Sequence, residues 1–131
     1  MIIRWAACVA PLGEPSADHR LLDPAGPWRL AVGAPLLTIG ENRRQVGTFD
    51  TLDVFGDELR ATGTVNDETI AAQMDSGELR PALELGEDFA AATVFADDQP
   101  TFRWVRGTFT ALALSDHPSW PGRVWFTLED R

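Results

Sequence analysis

The sequence predicts a mainly β (α+β) protein: a small closed or partly open β-barrel of about eight short strands with one short helix. Most apolar and β-branched residues fall in short alternating runs between glycines and prolines, which is typical of strands and turns. Asn66–Gly77 is the one good helix candidate. Thr108–Ser115 lacks glycine, proline and charge, which predicts a central strand buried on both faces.

The first third of the chain predicts three strands and one irregular segment. Ile2–Val9 is expected to form the first strand. Pro11–Pro27 holds four prolines and two glycines without periodicity, which predicts a Pro-rich exposed excursion over about residues 11–27. Trp28–Val32 and Pro35–Ile39 are expected to form short strands around Gly33.

Val46–Val65 predicts a β-hairpin, because its second arm alternates cleanly and Gly56-Asp57 supplies a turn. Phe49 and Leu52 have opposite parity in the first arm, which predicts a bulge there.

The predicted helix has signals at both of its ends. Asn66 or Asp67 can cap its first turn, and Gly77 can end it with a left-handed residue. Ile70, Ala71 and Met74 make a narrow apolar stripe, so the helix is expected to depend on docking against the sheet.

The remaining segments predict the other strands and one stiff corner. Pro118 and Pro121 each fix φ and remove a backbone donor, so the corner between them is expected to lie outside any ladder. Further strands are expected at Leu79–Leu85, Ala90–Phe95 and Arg123–Leu128, the last with Val124, Phe126 and Leu128 on its inner face. Thr101–Arg106 is expected to lead into the central strand.

Length and charge limit the classes of function. A chain of 131 residues suits a single domain spanning residues 1–131. The net charge of -9, with arginine as the only basic residue type, argues against nucleic acid as a partner. No apolar run is long enough to cross a membrane, the first residues do not resemble a secretory signal, and no membrane partner is expected. Cys8 is expected to be a small buried hydrophobe.

Candidate catalytic and ligand-binding groups are few. His19 and His117 each neighbour an aspartate and could ligate a metal or act as a base, although solvated loop histidines are the ordinary interpretation. Ser115 and Ser119 flank His117, but a corner with two prolines suits a reorienting base poorly. The chain contains no phosphate-binding glycine motif. No catalytic residue, cofactor or metal is therefore expected.

Tryptophan supplies the candidate partner-binding residues. Trp5, Trp28 and Trp104 lie in strand-like runs and are expected in the core. The corner residues Trp120 and His117, together with Trp125, are expected to bind a protein partner, because aromatic anchors on stiff loops suit interfaces. The alternative for Trp120 is that it folds back and plugs the end of its own barrel.

The order of these segments resembles the prohead (capsid maturation) protease family of tailed phages, which has an assemblin-like β-barrel fold. The resemblance covers about residues 28–128. The segments that carry it are Pro35-Leu36-Leu37, Val46-Gly47, Leu59–Asp67, the short helix ending at Gly77, and the final LALSDHPSWPGRVWF.

The resemblance implies a serine protease fold, but this chain lacks the expected catalytic groups. Gly40 stands near the position of the family's histidine, Ala82 near that of its serine, and Ala111 near that of its acidic residue. Acyl transfer needs a nucleophile and a base within hydrogen-bonding reach.

The expectation is therefore a non-enzymatic phage capsid-associated protein, a minor capsid or decoration protein built on an inactive protease-like barrel. Its expected location is the virion, assembled in the host cytoplasm. Its expected partner is the major capsid protein or another virion protein, and self-association into a homo-oligomer is a further expectation. Two alternatives remain: an active maturation protease that uses His19 or His117 with Ser115, and a β-barrel interaction module with no viral link.

Overall fold

The computed structural model describes residues 2–38, 43–86, 88–96 and 98–129. Within these ranges the chain forms ten strands and one helix, so the mainly β class is confirmed, with more strands than the eight or so expected. The strands are β1 Ile3–Pro11, β2 Arg20–Leu22, β3 Trp28–Leu30, β4 Pro35–Leu37, β5 Gln45–Phe55, β6 Glu58–Val65, β7 Arg80–Leu85, β8 Ala90–Ala96, β9 Gln99–Ser115 and β10 Trp125–Leu128; the helix is α1 Glu68–Ser76.

The strands form one curled sheet in the shape of a half-barrel. The hydrogen-bonded order is β10-β1-β6-β5-β4-β9, and β9 carries several partners along its length. On one edge β9 pairs in parallel with β2, β3 and β4 in succession. On its other edge it pairs antiparallel with β8 and then with β7. The partly open form of the predicted barrel is the one observed, because β7 lies close to β1 without a ladder between them in the described residues.

The central strand is longer than predicted. Thr101–Arg106 and Thr108–Ser115 belong to a single strand of 17 residues, β9, which continues through Gly107. Its second half is buried on both faces as predicted, with Leu112 0% and Leu114 1% exposed. Because these side chains are shielded on both faces, β9 is the strand on which the core is assembled.

The prediction that residues 11–27 form an exposed excursion is wrong in part. Leu12, Leu21 and Leu22 are buried, and the last two lie in β2, which pairs with β9. Burying these leucines stabilises the segment against the sheet, which a count of prolines and glycines does not reveal. Pro24 and Ala25 are exposed as predicted.

The predicted hairpin and helix are both confirmed. β5 and β6 pair around Gly56, which has a φ of 63°, and the register shifts between Phe49 and Thr51. In α1 the side chain of Asp67 accepts a 3.0 Å hydrogen bond from the backbone N–H of Ile70. Gly77 ends the helix in the left-handed conformation. Ala71 and Met74 are buried, and α1 packs mainly beside β10.

Two aromatic clusters fill the core. Trp5 contacts Phe49 and Phe126 at one end. At the other end, Phe89 lies at the centre of a cluster that also contains Trp28, Trp104 and Phe109. The three tryptophans that were expected in the core therefore belong to these clusters.

The corner and last strand agree with the sequence pattern. Pro118 and Pro121 lie outside all strands. β10 starts later than predicted, at Trp125, but Val124 and Phe126 are buried and Leu128 is half-buried on the inner face. Among the described residues, no helix has the length and apolar character needed to cross a membrane.

Candidate functional site

A cavity of about 80 Å³ lies beside the core, between β7, β9 and two loops. Its apolar wall includes Val9, Leu22, Leu83 and Phe109. The loops that complete it are the Ser16–Arg20 turn and the corner at Ser119 and Trp120, which a backbone hydrogen bond from Ala17 N–H to Ser119 O (2.9 Å) joins. The space can hold a few water molecules or a small side chain.

The polar groups at this cavity are bonded to one another. The Ser16 hydroxyl donates to Asp18 Oδ1, and it accepts from the Arg20 backbone N–H at 3.0 Å. Asp18 also pairs with the Arg20 guanidinium at 3.2 Å. The Ser16 hydroxyl is bonded to a carboxylate and not to an imidazole. Ser16, Asp18 and Arg20 therefore stabilise the turn and do not form a Ser–His nucleophile.

Trp104 contributes an unsatisfied donor beside the same cavity. Its indole N–H is buried without a hydrogen-bond partner in the described part of the chain. The residue lines the cavity and stacks edge-on against Phe89. Leaving a buried donor unpaired costs roughly 1–3 kcal/mol, so aromatic packing holds Trp104 in place against that cost.

All four serines and both histidines lie in the described ranges, and no hydrogen bond joins a serine hydroxyl to an imidazole. The Ser115 hydroxyl is buried and accepts the backbone N–H of His117 at 3.0 Å. The His117 ring lies 3.8 Å from Asp116 and is 91% exposed. His19 is also exposed, in a left-handed turn with a φ of 60°. In this arrangement neither His19 nor His117 has its ring bonded to Ser115, the contact that the alternative of an active protease requires.

The positions that the family resemblance singles out have different surroundings. Ala82 is half-buried in β7 opposite Ala113, and it lines the cavity. Ala111 is buried opposite Glu84. Gly40 lies outside the described residues.

The candidate partner-binding residues Trp120 and His117 differ in burial. Trp120 is half-buried and packs against the core, and its indole N–H donates to the carbonyl of Glu14 at 2.8 Å. Arg123 forms an ion pair with the carboxylate of Glu14 and so fixes the corner further. Trp120 thus has the geometry of the plug alternative, while His117 is exposed nearby in sequence.

Trp125 lies on the outer face of the sheet. Its side chain is 43% exposed beside a groove of about 250 Å³ that Arg60 and Thr62 also line. The Arg60 guanidinium lies over the ring of Phe55, 4.5 Å from the ring centre. Phe55 is 64% exposed. We call Trp125, Arg60 and Phe55 the outer patch. The sequence predicted Trp125 as a binding residue but not Arg60 or Phe55, because only the register of the strands shows that they share its face.

Cys8 lies beneath this patch with its thiol buried. Its sulfur lies 3.1 Å from Glu58 Oε2 and 3.3 Å from the carbonyl oxygen of Arg123. Burial, followed by the hydrogen bond to Glu58 and its negative charge, raises the pKa of the Cys8 thiol to about 12. A thiol with this pKa is protonated at neutral pH and reacts slowly.

In the described residues no group of three or more His, Cys, Asp or Glu side chains is arranged to hold a metal ion. The chain matches no protein-family model, no curated protein and no solved structure.

Proposed function

We propose that this chain is a non-enzymatic structural protein of a phage virion, a minor capsid or decoration protein that docks on the major capsid protein or another virion protein. The order of its segments, which resembles the prohead proteases, supports the viral context. The methyl groups at residues 82 and 111, in place of reactive side chains, favour a binding role.

The outer patch is the observation that carries the binding role. Exposed aromatic and arginine side chains are enriched at the centres of protein interfaces. Trp125 and Phe55 flank Arg60 on one face, and each exposes a large apolar surface to solvent. A partner with an apolar pocket can receive Trp125 and Phe55, while Arg60, which pairs with Glu58 at 2.9 Å, has further N–H groups to donate.

The separation of serine from imidazole supports the non-enzymatic part of the proposal. An active protease with displaced residues needs His19 or His117 to bond a serine hydroxyl, and neither does so here. The Ser115 hydroxyl is instead occupied by the backbone of the turn that follows.

The proposal is tested on purified virions of a phage that encodes this chain. Mass spectrometry is expected to find the chain in a fixed ratio to the major capsid protein. Isolated chain is expected to bind assembled capsids, and the Trp125→Ala variant to bind at least about tenfold more weakly. Val32→Ala, a change at a fully exposed apolar residue outside the patch, is the matched control.

Absence of the chain from virions would contradict the proposal. So would covalent labelling of any serine by a fluorophosphonate probe, together with cleavage of a capsid precursor. That result would restore the alternative of an active maturation protease.

A further inference from the structure

β8 is an edge strand with an exposed and uncharged surface. In the described part of the chain it pairs with β9 alone. Its sequence, AAATVFA, contains no charge, glycine or proline. Ala91, Ala92, Thr93 and Phe95 are exposed, and Val94 is half-buried.

Such an edge lacks the features that usually prevent pairing between sheets. Natural edge strands carry charged residues, prolines or bulges that keep other strands away. Along β8 the one irregularity of register lies at its beginning, between Ala90 and Ala91. The chain has a net charge of -9, so two copies repel each other over most of their surface. Because β8 carries no charge, two copies can pair along this strand without like charges directly opposite one another.

The register of the hairpin shows which backbone groups of β8 point outward. Phe95 lies opposite Pro100, which has no N–H, so this pair cannot exchange two hydrogen bonds. In an antiparallel ladder, pairs with and without mutual hydrogen bonds alternate. Thr93 opposite Phe102, and Ala91 opposite Trp104, are therefore also pairs of the second kind. The N–H and C=O groups of Ala91, Thr93 and Phe95 are thus directed to the free edge.

We propose that two copies of this chain associate by antiparallel pairing of their β8 strands, with Thr93 opposite Thr93 of the second copy. This register uses all three outward-facing residues of each strand. It places Ala91 of one copy opposite Phe95 of the other, so a small side chain meets a large one. A two-fold axis through Thr93 makes the interface self-complementary, as closed dimers require.

The pairing also covers apolar surface that is exposed in the single chain. Phe95 is 79% exposed and Phe102 56% exposed, and both lie on the same face of the β8–β9 hairpin as Thr93. In the dimer this face continues across the axis, so each Phe95 gains neighbours from the second copy. This surface is separate from the outer patch, and dimerisation and capsid docking can therefore be measured independently.

The first test compares the oligomeric state of the full chain with that of Thr93→Pro, by sedimentation or light scattering over a wide concentration range. The wild type is expected to dimerise reversibly. Proline at residue 93 removes an outward N–H that the hairpin does not use, so the chain keeps its fold while dimerisation weakens at least about tenfold. Thr93→Ala keeps the N–H and is expected to dimerise like the wild type, and thermal unfolding checks that all three chains are folded.

A second test uses disulfide formation across the axis. Residues in a mutually hydrogen-bonded antiparallel pair have Cα atoms about 5.5 Å apart, within the range that a disulfide spans. Thr93→Cys is expected to give a covalent dimer under mild oxidation. Phe55→Cys, exposed on the other hairpin tip, is the control and is expected to form no disulfide-linked dimer. The buried Cys8 does not compete.

A wild-type chain that stays monomeric overturns the proposal. So does a dimer that Thr93→Pro leaves intact, because another surface would then be responsible. If the wild type is monomeric and Thr93→Pro loses capsid binding while Trp125→Ala does not, the edge pairs with a capsid strand instead of a second copy.

Discussion

The ring of Phe89 packs directly on Gly107, in the space that a β-carbon at residue 107 would occupy. Phe89 precedes β8, and Gly107 lies in the middle of β9. The same ring contacts Trp28, Trp104 and Phe109, so the glycine makes room for the centre of an aromatic cluster. This contact ties the β8–β9 hairpin to the half-barrel.

The contact predicts that Gly107→Ala destabilises the protein by about 1–3 kcal/mol, because the new methyl group overlaps a ring with packed neighbours. Chemical denaturation measures the loss. In a Phe89→Ala background the same glycine substitution is expected to cost much less, since the space is then open. Equal costs in the two backgrounds would show that the ring is not the obstacle.

Gly107 also explains where sequence reasoning about the fold stops. The strands, hairpin turn, bulge and helix caps follow from local alternation, Gly56, Asp67 and Gly77, and they were predicted. The predicted central strand began only after Gly107, at Thr108, because the role of this glycine depends on Phe89, which precedes it by 18 residues. The pairing of β2 with β9 was likewise missed, since three residues carry too little periodicity to predict a strand.

Leu114 predicts a large loss of stability when it is truncated. It is 1% exposed in the central strand, so Leu114→Ala is expected to lower the free energy of unfolding by about 2–5 kcal/mol. Leu85→Ala is the matched control, because Leu85 is 36% exposed at the end of β7, and a loss under about 1 kcal/mol is expected there. Similar losses at both residues would contradict the assignment of β9 as the core strand.

Loss of the indole N–H is expected to cost more stability at Trp5 than at Trp104. Trp5 donates to the carbonyl of Thr64 at 3.0 Å, whereas the Trp104 donor has no partner in the described residues. Trp5→Phe is expected to cost about 1–3 kcal/mol more than Trp104→Phe, which removes an unsatisfied group. Thermal and chemical unfolding of the two variants give the comparison; a larger loss for Trp104→Phe would reveal a partner for its N–H, such as a bound water.

The Cys8 thiol predicts a loss of stability at alkaline pH. Its pKa is raised from 9.0 to about 12 in the folded protein, so folding favours the neutral thiol. The contribution is complete below pH 9, and it declines as the pH rises from there through the folded pKa. The chain has neither tyrosine nor lysine, so no other side chain type is expected to titrate across most of that window.

Unfolding free energies measured across this pH range under reducing conditions are therefore expected to fall for the wild type. They are expected to change much less for Cys8→Ala. A decline of the same size in the variant would place its cause elsewhere.

The candidate site was less predictable than the fold. Sequence reasoning selected Trp120, His117 and Trp125 for their residue types, but exposure depends on contacts between distant segments. Trp120 turns inward because Glu14, 106 residues earlier, accepts its indole N–H. Phe55 and Arg60 join Trp125 through the register of β5, β6, β1 and β10, which no local pattern contains.

Truncation of Trp120 is expected to lower stability, and truncation of Trp125 is expected to weaken capsid binding. Trp120 packs against the core and bonds Glu14, so Trp120→Ala is expected to cost about 1–3 kcal/mol and lower Tm by roughly 4–12 °C. Trp125 is 43% exposed, so Trp125→Ala is expected to leave Tm nearly unchanged while capsid binding weakens. Binding by Trp120→Ala, measured below its melting temperature, is expected to remain intact. An unchanged Tm with lost binding in Trp120→Ala would instead place the interface at the corner, because a side chain that plugs its own barrel cannot be removed without loss of stability.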